Sequence, residues 1–262
     1  MIWKLATFNV NGIRARLEIL IDWLKTSQPD VLCLQETKCQ DKDFPLPAFE
    51  AEGYSAAYWG QKSFNGVAVL TRRQLTEIQL GFSDGQPETE ARMMTVLVDG
   101  VWVVNTYVPQ GRSPDDPAFQ AKLNFFSRLD RWFKKRFSPS QPLIWTGDLN
   151  VAPEPIDVFD PERLEGEVGF HPEERKALAS VSAWGFNDLF RKFNPTVRQF
   201  TFWDYRLPHS FKRNLGWRLD HILATRPMIN AARGCQVDTE PRGKEKPSDH
   251  TPVWAEFDLA GL

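Results

Sequence analysis

The sequence is poor in cysteine and has no long apolar run, and each absence disfavours a class of protein. It has 262 residues and three cysteines, Cys33, Cys39 and Cys235, which form no CxxC pair and no even set. We therefore expect no disulfide framework, and a reduced, cytoplasmic compartment fits best. No apolar stretch is long enough to span a membrane and no signal peptide is apparent, so we expect no membrane contact.

The net charge of −2 argues against a protein that is basic over its whole surface. Contact with nucleic acid must then rest on local groups of lysine and arginine. Apolar residues make up 42% of the chain, enough for a sizeable core. Strand-like runs alternate with amphipathic helices and no low-complexity linker divides them, so we expect one domain over residues 1–262. Two face-to-face sheets with outer helices, an α/β fold, would use all these elements.

The stretch over residues 143–150 is the centre of the functional prediction. Its apolar residues indicate a buried strand, which breaks at Gly147 and then presents Asp148 and Asn150. Side chains two positions apart at a strand end point the same way, so a carboxylate and an amide would lie side by side. Other strand ends present similar groups. The complete set is Asn9, Glu36, Tyr107, Asp148, Asn150, Asp220, Asp249 and His250.

These residue types suit a metal-assisted phosphodiester hydrolase that acts on DNA. Carboxylate and amide oxygens are ligands for Mg²⁺ or Mn²⁺ rather than zinc, and the sequence has no His-x-x-x-His or cysteine pair for a zinc site. Phosphodiester hydrolysis needs a cation at the scissile oxygens, a base or aligner for water, and donors for the developing charge. The strand-end residues offer all three.

Each residue alone has a plainer interpretation. Glu36 and Asp148 could cap a helix or a turn. Asp220 within a strand is more telling, because a buried carboxylate is costly without a partner, and His250 is a candidate partner. Residues 248–252, Ser-Asp-His-Thr-Pro, are the sharpest local motif. In combination the pattern is strong.

Six segments together resemble the exonuclease III branch of the endonuclease/exonuclease/phosphatase superfamily, in its bacterial form. They stand in the order found in that family, and the resemblance extends over residues 3–257. The segments are 8–14, 34–38, 107–111, 147–150, 216–220 and 247–252. The resemblance implies a four-layer α/β sandwich, with two packed mixed β-sheets flanked by helices.

The resemblance also implies a class II abasic-site (AP) endonuclease that depends on Mg²⁺, for which Mn²⁺ can substitute. Such enzymes hydrolyse the phosphodiester 5′ to an abasic site, and many process 3′ ends as a 3′→5′ exonuclease or 3′-phosphatase. The implied partner is double-stranded DNA with abasic sites or blocked 3′ ends. A monomer in the bacterial cytosol and nucleoid would act on it.

By motif, the resemblance assigns Glu36 as the principal metal ligand, with help from Asn9. Asp249 lies near the metal and could ligate a second ion or assist the leaving group. Asp148 would orient or deprotonate the attacking water, which Asn150 would position.

The remaining catalytic roles concern the phosphate itself. Tyr107 would contact the phosphate or the leaving oxygen. His250, held by Asp220, would bind the scissile phosphate. The identity of the general base stays open between Asp148 and His250.

An apolar pocket for a flipped-out abasic sugar is a further expectation. Trp217 and Phe202 would wall it, with Leu215 as a third member, and it would be too small for a base. The plainer alternative is that Phe202 and Trp203 belong to the core, and we favour that alternative for Trp203. Asn11 stands where animal members of the family carry aspartate, so the metal site has one carboxylate fewer.

Other predicted substrate contacts lie in loops beside the motif residues, where basic groups could meet phosphates. They are Asn11, Arg14, Gln110, Arg112, Lys212 and Arg213, with Arg16, Lys38, Lys62 and Asn65 as further candidates. Any one of the charged side chains could instead be a solvated surface group.

Two other functions compete with the AP endonuclease. One is a phosphoesterase of the same fold that acts on a non-nucleic-acid substrate, such as an inositol phosphate or sphingomyelin. The other is a catalytically silent DNA-lesion-binding protein. The silent binder would require the loss of a site residue, and the whole strand-end set is present.

Overall fold

The computed structural model describes residues 2–261, which form two six-stranded sheets. In chain order the strands are β1 (Ile2–Asn9), β2 (Val31–Gln35), β3 (Ser55–Trp59), β4 (Val67–Thr71), β5 (Leu75–Leu80), β6 (Met93–Val98), β7 (Val101–Tyr107), β8 (Leu143–Asp148), β9 (Asn187–Asp188), β10 (Asp220–Ala224), β11 (Ala232–Val237) and β12 (Val253–Asp258). The first sheet has the order β11-β12-β1-β2-β4-β3 and the second β5-β6-β7-β8-β10-β9. The pairs β1–β2 and β7–β8 are parallel among antiparallel neighbours, so both sheets are mixed.

Helices connect the strands. They are α1 (Leu17–Ser27), α2 (Leu46–Glu50), α3 (Pro117–Arg136), α4 (Pro161–Leu164), α5 (Pro172–Ser182), α6 (Leu189–Phe193) and α7 (Arg226–Ala231). The helical spacing of apolar residues predicts a first helix over roughly residues 13–26, and its first turn is a 3₁₀ turn over Ile13–Arg16. Residues 199–205 look like a strand in the sequence, but that prediction is wrong, because Phe202 makes only isolated bridges there. None of the helices within residues 2–261 has both the length and the apolar character that crossing a membrane requires.

The long helix α3 shows how local sequence sets an element. Asp116 caps its first turn by accepting a 2.8 Å hydrogen bond from the amide of Ala118, and Pro117 occupies the first helical position. Its buried positions recur at helical spacing, and those from Phe126 onward pack against the second sheet. The buried positions are Phe119, Lys122, Phe126, Leu129, Trp132 and Phe133. A lysine therefore lies within an otherwise apolar stripe.

Alternation along β1 divides its side chains between two cores. Leu5 faces the second sheet and joins the core between the sheets, whereas Ala6 and Phe8 pack against α1 and α2. On the other side of the second sheet, Trp145 packs with residues of α3 and α5. The layers are thus helices, sheet, sheet and helices. This order confirms the predicted four-layer α/β sandwich.

The ends of several strands meet at one edge of the sandwich. The strands β1 and β2 run parallel, so Asn9 and the residue after β2, Glu36, lie at the same edge. In the second sheet Tyr107 pairs with Asp148 across the parallel strands β7 and β8. Asp220 opens the antiparallel strand β10 and is also paired with Asp148. Both sheets therefore deliver polar side chains to this edge.

Candidate active site

A cleft of about 410 Å³ opens where the strand ends meet. Six of its lining residues belong to the predicted set: Glu36, Tyr107, Asp148, Asn150, Asp249 and His250. The other lining residues are Gln110, Val168, Gly169, Phe202, Asp204, Tyr205, Arg206, Trp217 and Leu219. Asn9 and Asp220 are buried behind the polar side and reach it through hydrogen bonds. The structure thus brings the whole strand-end set together.

Asn9 links the carboxylates of the two sheets. Its Nδ2 donates to Glu36 Oε1 and to Asp148 Oδ2, both at 2.8 Å. Its Oδ1 accepts the backbone amide of Asn11 at 3.0 Å. In this arrangement Asn9 holds the two carboxylates in place, and direct metal ligation by its oxygen would require the amide to rotate.

A chain of polar contacts connects Glu36 to the opposite side of the cleft. Lys38 Nζ lies 2.7 Å from Glu36 Oε2 and also donates to Asn11, whose Nδ2 donates to Asp249 Oδ1 at 2.8 Å. Burial opposes ionisation of Glu36, but Lys38 and Asn9 outweigh it, so the pKa of Glu36 lies below its ordinary value. Glu36 is therefore a carboxylate at neutral pH. Asn11 is neutral, so its amide can donate to Asp249. An aspartate at this position would instead repel the Asp249 carboxylate.

The donor set fits a divalent cation. Among residues 2–261, Glu36, Asp148 and His250 form a group whose ligand atoms all lie within 4.8 Å of one another. Two of the three are carboxylates, which are hard oxygen ligands, and the imidazole is already engaged by Asp220. Asp249, predicted to lie near the metal, lines the same cleft but is not part of this group.

His250 and Asp220 form a buried pair. His250 Nδ1 lies 2.7 Å from Asp220 Oδ2, and its Nε2 lies 3.7 Å from Asp148 Oδ2. Burial would lower the pKa of His250, but Asp220 and Asp148 outweigh it, so the imidazole favours its charged form. Burial also raises the pKa of Asp148, with Asp220 and Glu36 adding to the shift. The site thus combines a cationic ring with a carboxylate that holds a proton more readily than usual.

Asn150 is fixed against Asp148 by an unusual backbone conformation. Its φ of 53° lies in the left-handed region, which asparagine tolerates better than most residues. Its backbone amide donates to Asp148 Oδ1 at 2.9 Å, and its Nδ2 donates to the Val108 carbonyl at 2.9 Å. Asp148 is therefore held on both oxygens, one by Asn150 and one by Asn9.

Tyr107 faces the same carboxylates as a neutral phenol. Burial raises its pKa well above the ordinary value, and Glu36 and Asp148 add to the shift. Arg92 stacks on its ring at 4.8 Å and donates to its carbonyl at 3.3 Å. The hydroxyl is consequently a donor over the whole physiological range.

An apolar wall adjoins the polar side of the cleft. Phe202 and Trp217 pair through an isolated bridge, and the Phe202 ring lies 4.8 Å from the His250 ring. Leu219 completes this wall; the predicted third member, Leu215, is not among the residues that line the cleft within 2–261. Trp203 is buried, as the plainer alternative predicted.

Five of the basic residues predicted to contact phosphates are exposed. They are Arg14, Lys62, Lys212 and Arg213, together with Arg112, whose guanidinium lies 3.8 Å from an Asp116 carboxylate oxygen. Other candidates are engaged within the protein. Lys38 binds Glu36, Arg16 donates to the Pro247 carbonyl at 3.3 Å, and Asn65 donates to Glu90 at 3.1 Å.

Two buried ion pairs beside the cleft were missed in the sequence. Lys122 Nζ lies 2.5 Å from Glu174 Oε1, and Arg218 binds both oxygens of Asp157 at 2.6 and 3.0 Å. The apolar stripe around Lys122 is a signal that could have revealed a buried lysine. Its partner is 52 residues away, and no local pattern indicates it. Arg206, which lines the cleft, was also missed.

Comparison with known proteins gives a consistent picture. The model of the Endonuclease/Exonuclease/phosphatase family matches residues 6–250. Exodeoxyribonuclease III of Haemophilus influenzae is 36% identical over 266 residues, which cover 97% of this chain and 99% of that protein.

Solved structures agree. An AP endonuclease from Archaeoglobus fulgidus superposes with a TM-score of 0.95 at 44% identity, covering 98% of this chain and 100% of that one. A 3′ phosphatase from Neisseria, bound to a product DNA hairpin, superposes with a TM-score of 0.93 at 34% identity, covering 98% and 99%.

Proposed function

The chain belongs to the endonuclease/exonuclease/phosphatase family, and from this premise we propose that it is a DNA repair nuclease that hydrolyses the phosphodiester 5′ to an abasic site. It is a hydrolytic nuclease, like its relative exodeoxyribonuclease III. Removal of nucleotides or phosphate from 3′ ends is a second activity of the same site. The Neisseria neighbour, a 3′ phosphatase with product DNA bound, supports that activity.

One observation carries the proposal. The polar groups that phosphodiester hydrolysis needs and an apolar wall of Phe202, Trp217 and Leu219 share one cleft. A cleft of about 410 Å³ is in the range of small-ligand sites, and a sugar without its base can rest on an apolar wall while its 5′ phosphate meets His250. A purely polar phosphatase site would not need this wall.

The residues divide the reaction between them. Asp148, held by Asn9 and Asn150, takes a proton from the attacking water, which adds to phosphorus. His250, kept cationic by Asp220, donates to a phosphate oxygen as negative charge grows there. The bond from phosphorus to the 3′ oxygen then breaks.

The leaving oxygen must gain a proton. The neutral hydroxyl of Tyr107 faces the same space and can donate to it, leaving a 3′-hydroxyl end. Asp249 lies across the cleft and can assist. The sugar phosphate remains on the other side of the cut.

Glu36 would be the principal ligand of the metal ion, with Asp148 and His250 close by. We propose Mg²⁺, with Mn²⁺ as a substitute, because carboxylate oxygens dominate the donor set. When bound, the ion supplies positive charge to the scissile phosphate. The Lys38 contact to Glu36 must loosen or rearrange to admit it.

We propose double-stranded DNA with abasic sites or blocked 3′ ends as the partner. We assign the phosphate contacts to the exposed side chains of Arg14, Lys62, Arg112, Lys212 and Arg213, although the net charge is −2. We also propose a monomer that works in the cytoplasm. One chain supplies the whole site, and three buried free cysteines suit a reduced compartment.

Cleavage of a labelled duplex with one central abasic analogue tests the proposal. The duplex is incubated with Mg²⁺ and with EDTA, beside a matched duplex that has a recessed 3′ end. We expect incision 5′ to the lesion that EDTA abolishes. Trimming of the recessed end alone would restrict the enzyme to 3′-end processing. No cutting of either duplex with Mg²⁺ or Mn²⁺ would favour a phosphoesterase of non-nucleic-acid substrates.

A further inference from the structure

A fully buried ion pair lies beneath the loops of the cleft. Lys122 of α3 and Glu174 of α5 each have 0% of their side chains exposed, and Nζ lies 2.5 Å from Oε1. Lysine and glutamate are almost never fully buried unless paired. None of the catalytic roles assigned above involves either residue.

The pair joins three loops that line the cleft. Lys122 Nζ donates to the carbonyl of Asn150 at 2.7 Å and to that of Gln110 at 3.2 Å. Glu174 Oε2 accepts the backbone amides of Gly169 at 2.7 Å and His171 at 3.2 Å. One buried contact therefore fixes backbone from three separate segments.

Two of these backbone groups, those of Asn150 and Gly169, belong to functional features of the cleft. The carbonyl of Asn150 belongs to the left-handed residue whose amide and side chain hold Asp148. Gly169 lies directly against the pocket wall, since a Cβ built there would come within 3.3 Å of the Trp217 ring. Movement of these loops would displace the water-orienting amide and the wall at once.

Stability alone does not explain a buried pair of this kind. Replacing such a pair with apolar side chains of similar volume is often neutral or stabilising, because both charges lose their hydration when buried. The position of the pair directly behind the cleft loops, bonded to Asn150 and Gly169, points to a role in shape. Small errors of position at a reacting centre are costly for the rate.

We propose that Lys122 and Glu174 are a positioning pair that holds the Asn150 turn and the Gly169 wall in their active arrangement. This inference rests on the proposed function for its kinetic readout. Neither residue touches the substrate or the reacting atoms. The pair acts through Asn150 on the alignment of water and through Gly169 on the pocket.

The test compares a single and a double variant with wild type on the abasic duplex. Lys122→Met leaves Glu174 charged and unpaired, so it mixes positioning with loss of stability. The double variant Lys122→Met with Glu174→Leu removes both charges, so no unpaired charge is left in the core. We expect kcat of the double variant to fall by about tenfold or more, with KM changed less than about threefold. Lys134→Met, which removes an exposed lysine of the same helix, is the matched control.

The outcomes separate shape from stability. A double variant that regains both the wild-type unfolding midpoint and the wild-type kcat would overturn the proposal. If the double variant does not fold, Glu174→Gln keeps the shape and one acceptor, and unchanged kcat in that protein would overturn it equally.

Hydrogen–deuterium exchange provides a readout that needs no substrate. We expect faster exchange in peptides that cover residues 149–152 and 167–171 of the Lys122→Met protein, and no change in the Lys134→Met protein. Unchanged exchange in both segments would defeat the proposal even if the wild-type protein cuts no DNA. Failure of wild type to cut, with faster exchange in the variant, would defeat only the proposed function.

Discussion

Asn9 and Asp148 are 139 residues apart and belong to different sheets, yet the amide of Asn9 donates a 2.8 Å hydrogen bond to the Asp148 carboxylate. The same nitrogen donates to Glu36, so a neutral amide stands between the two carboxyl groups. This bridge keeps Asp148, the proposed base of the reaction, oriented while the Glu36 carboxylate stays beside it. The site therefore exists only when both sheets are packed.

Replacing the carboxylate at this bridge should stop the chemistry without removing the shape. We expect Asp148→Asn to lower kcat on the abasic duplex by about 10³-fold, because general base catalysis contributes factors of this order. DNA binding measured in EDTA should remain near wild type. Asp115→Asn, at an exposed position outside the cleft, is the control. Wild-type cutting by the Asp148→Asn protein would show that the base has been assigned wrongly.

Removing Glu36, the proposed principal metal ligand, should change the metal requirement. We expect Glu36→Gln to raise the Mg²⁺ concentration for half-maximal rate by about tenfold or more, because a neutral amide binds a hard cation more weakly than a carboxylate. Mn²⁺ binding, followed by calorimetry on protein without DNA, checks the effect independently of rate. The exposed Glu18→Gln on α1 serves as control. An unchanged dependence of the rate on Mg²⁺ concentration would show that Glu36 does not bind the ion.

Sequence predicted the polar edge well because each contribution is local. An apolar run followed by Asp148 or Glu36 marks the end of a strand, and this signal does not depend on what the strand packs against. Six ordered segments then indicated the family, and that resemblance is confirmed by the match over residues 6–250. The roles given to individual residues stay predictions.

Features that depend on distant partners could not be predicted. Residues 199–205 have the residue pattern of a strand, but Phe202 forms only isolated β-bridges and lines the cleft instead. Leu219 rather than Leu215 lines the pocket, because the fold of the whole loop decides which side chain turns inward. The partner of Lys122 is 52 residues away, and only packing of α3 on α5 brings them together.

The apolar wall should discriminate between substrates. We expect Trp217→Ala to lower kcat/KM for incision at the abasic analogue by about tenfold, since a large ring that packs on the sugar is lost. Trimming of a recessed 3′ end should fall less. Trp254→Ala, on β12 outside the cleft, is the control for loss of an aromatic side chain. Equal losses on the two substrates would assign Trp217 to general binding rather than to the lesion.

The loop after Trp203 should contribute to DNA affinity through charge. Lys212 and Arg213 are exposed, so their removal should weaken binding and leave the fold intact. If each contacts one phosphate, the negative slope of log K for DNA binding against log salt concentration should become shallower by about 2 in the double alanine variant. Lys134→Ala with Lys135→Ala, at the far end of α3, should leave the slope unchanged. An unchanged slope in the first variant would remove this loop from the DNA footprint.

Acid should weaken the fold through Asp157. Burial opposes its ionisation, but Arg218 and Arg191 outweigh it and hold the pKa of Asp157 below its ordinary value. The folded pKa therefore lies below the unfolded one, and the contribution is complete above about pH 4 and is lost as pH falls through the folded pKa. Asp157→Asn should lower the free energy of unfolding at neutral pH by about 3 kcal/mol, because Arg218 loses a bidentate partner in the core.

Urea unfolding of both proteins at neutral pH, and at steps down to about pH 3, measures this contribution. The difference between wild type and the Asp157→Asn variant should shrink below about pH 4, since wild type then loses the charge that the variant lacks. The exposed Asp115→Asn variant should follow wild type throughout. A difference that stays constant to the lowest pH would mean that Asp157 stabilises the core by its shape and hydrogen bonds, not by its charge.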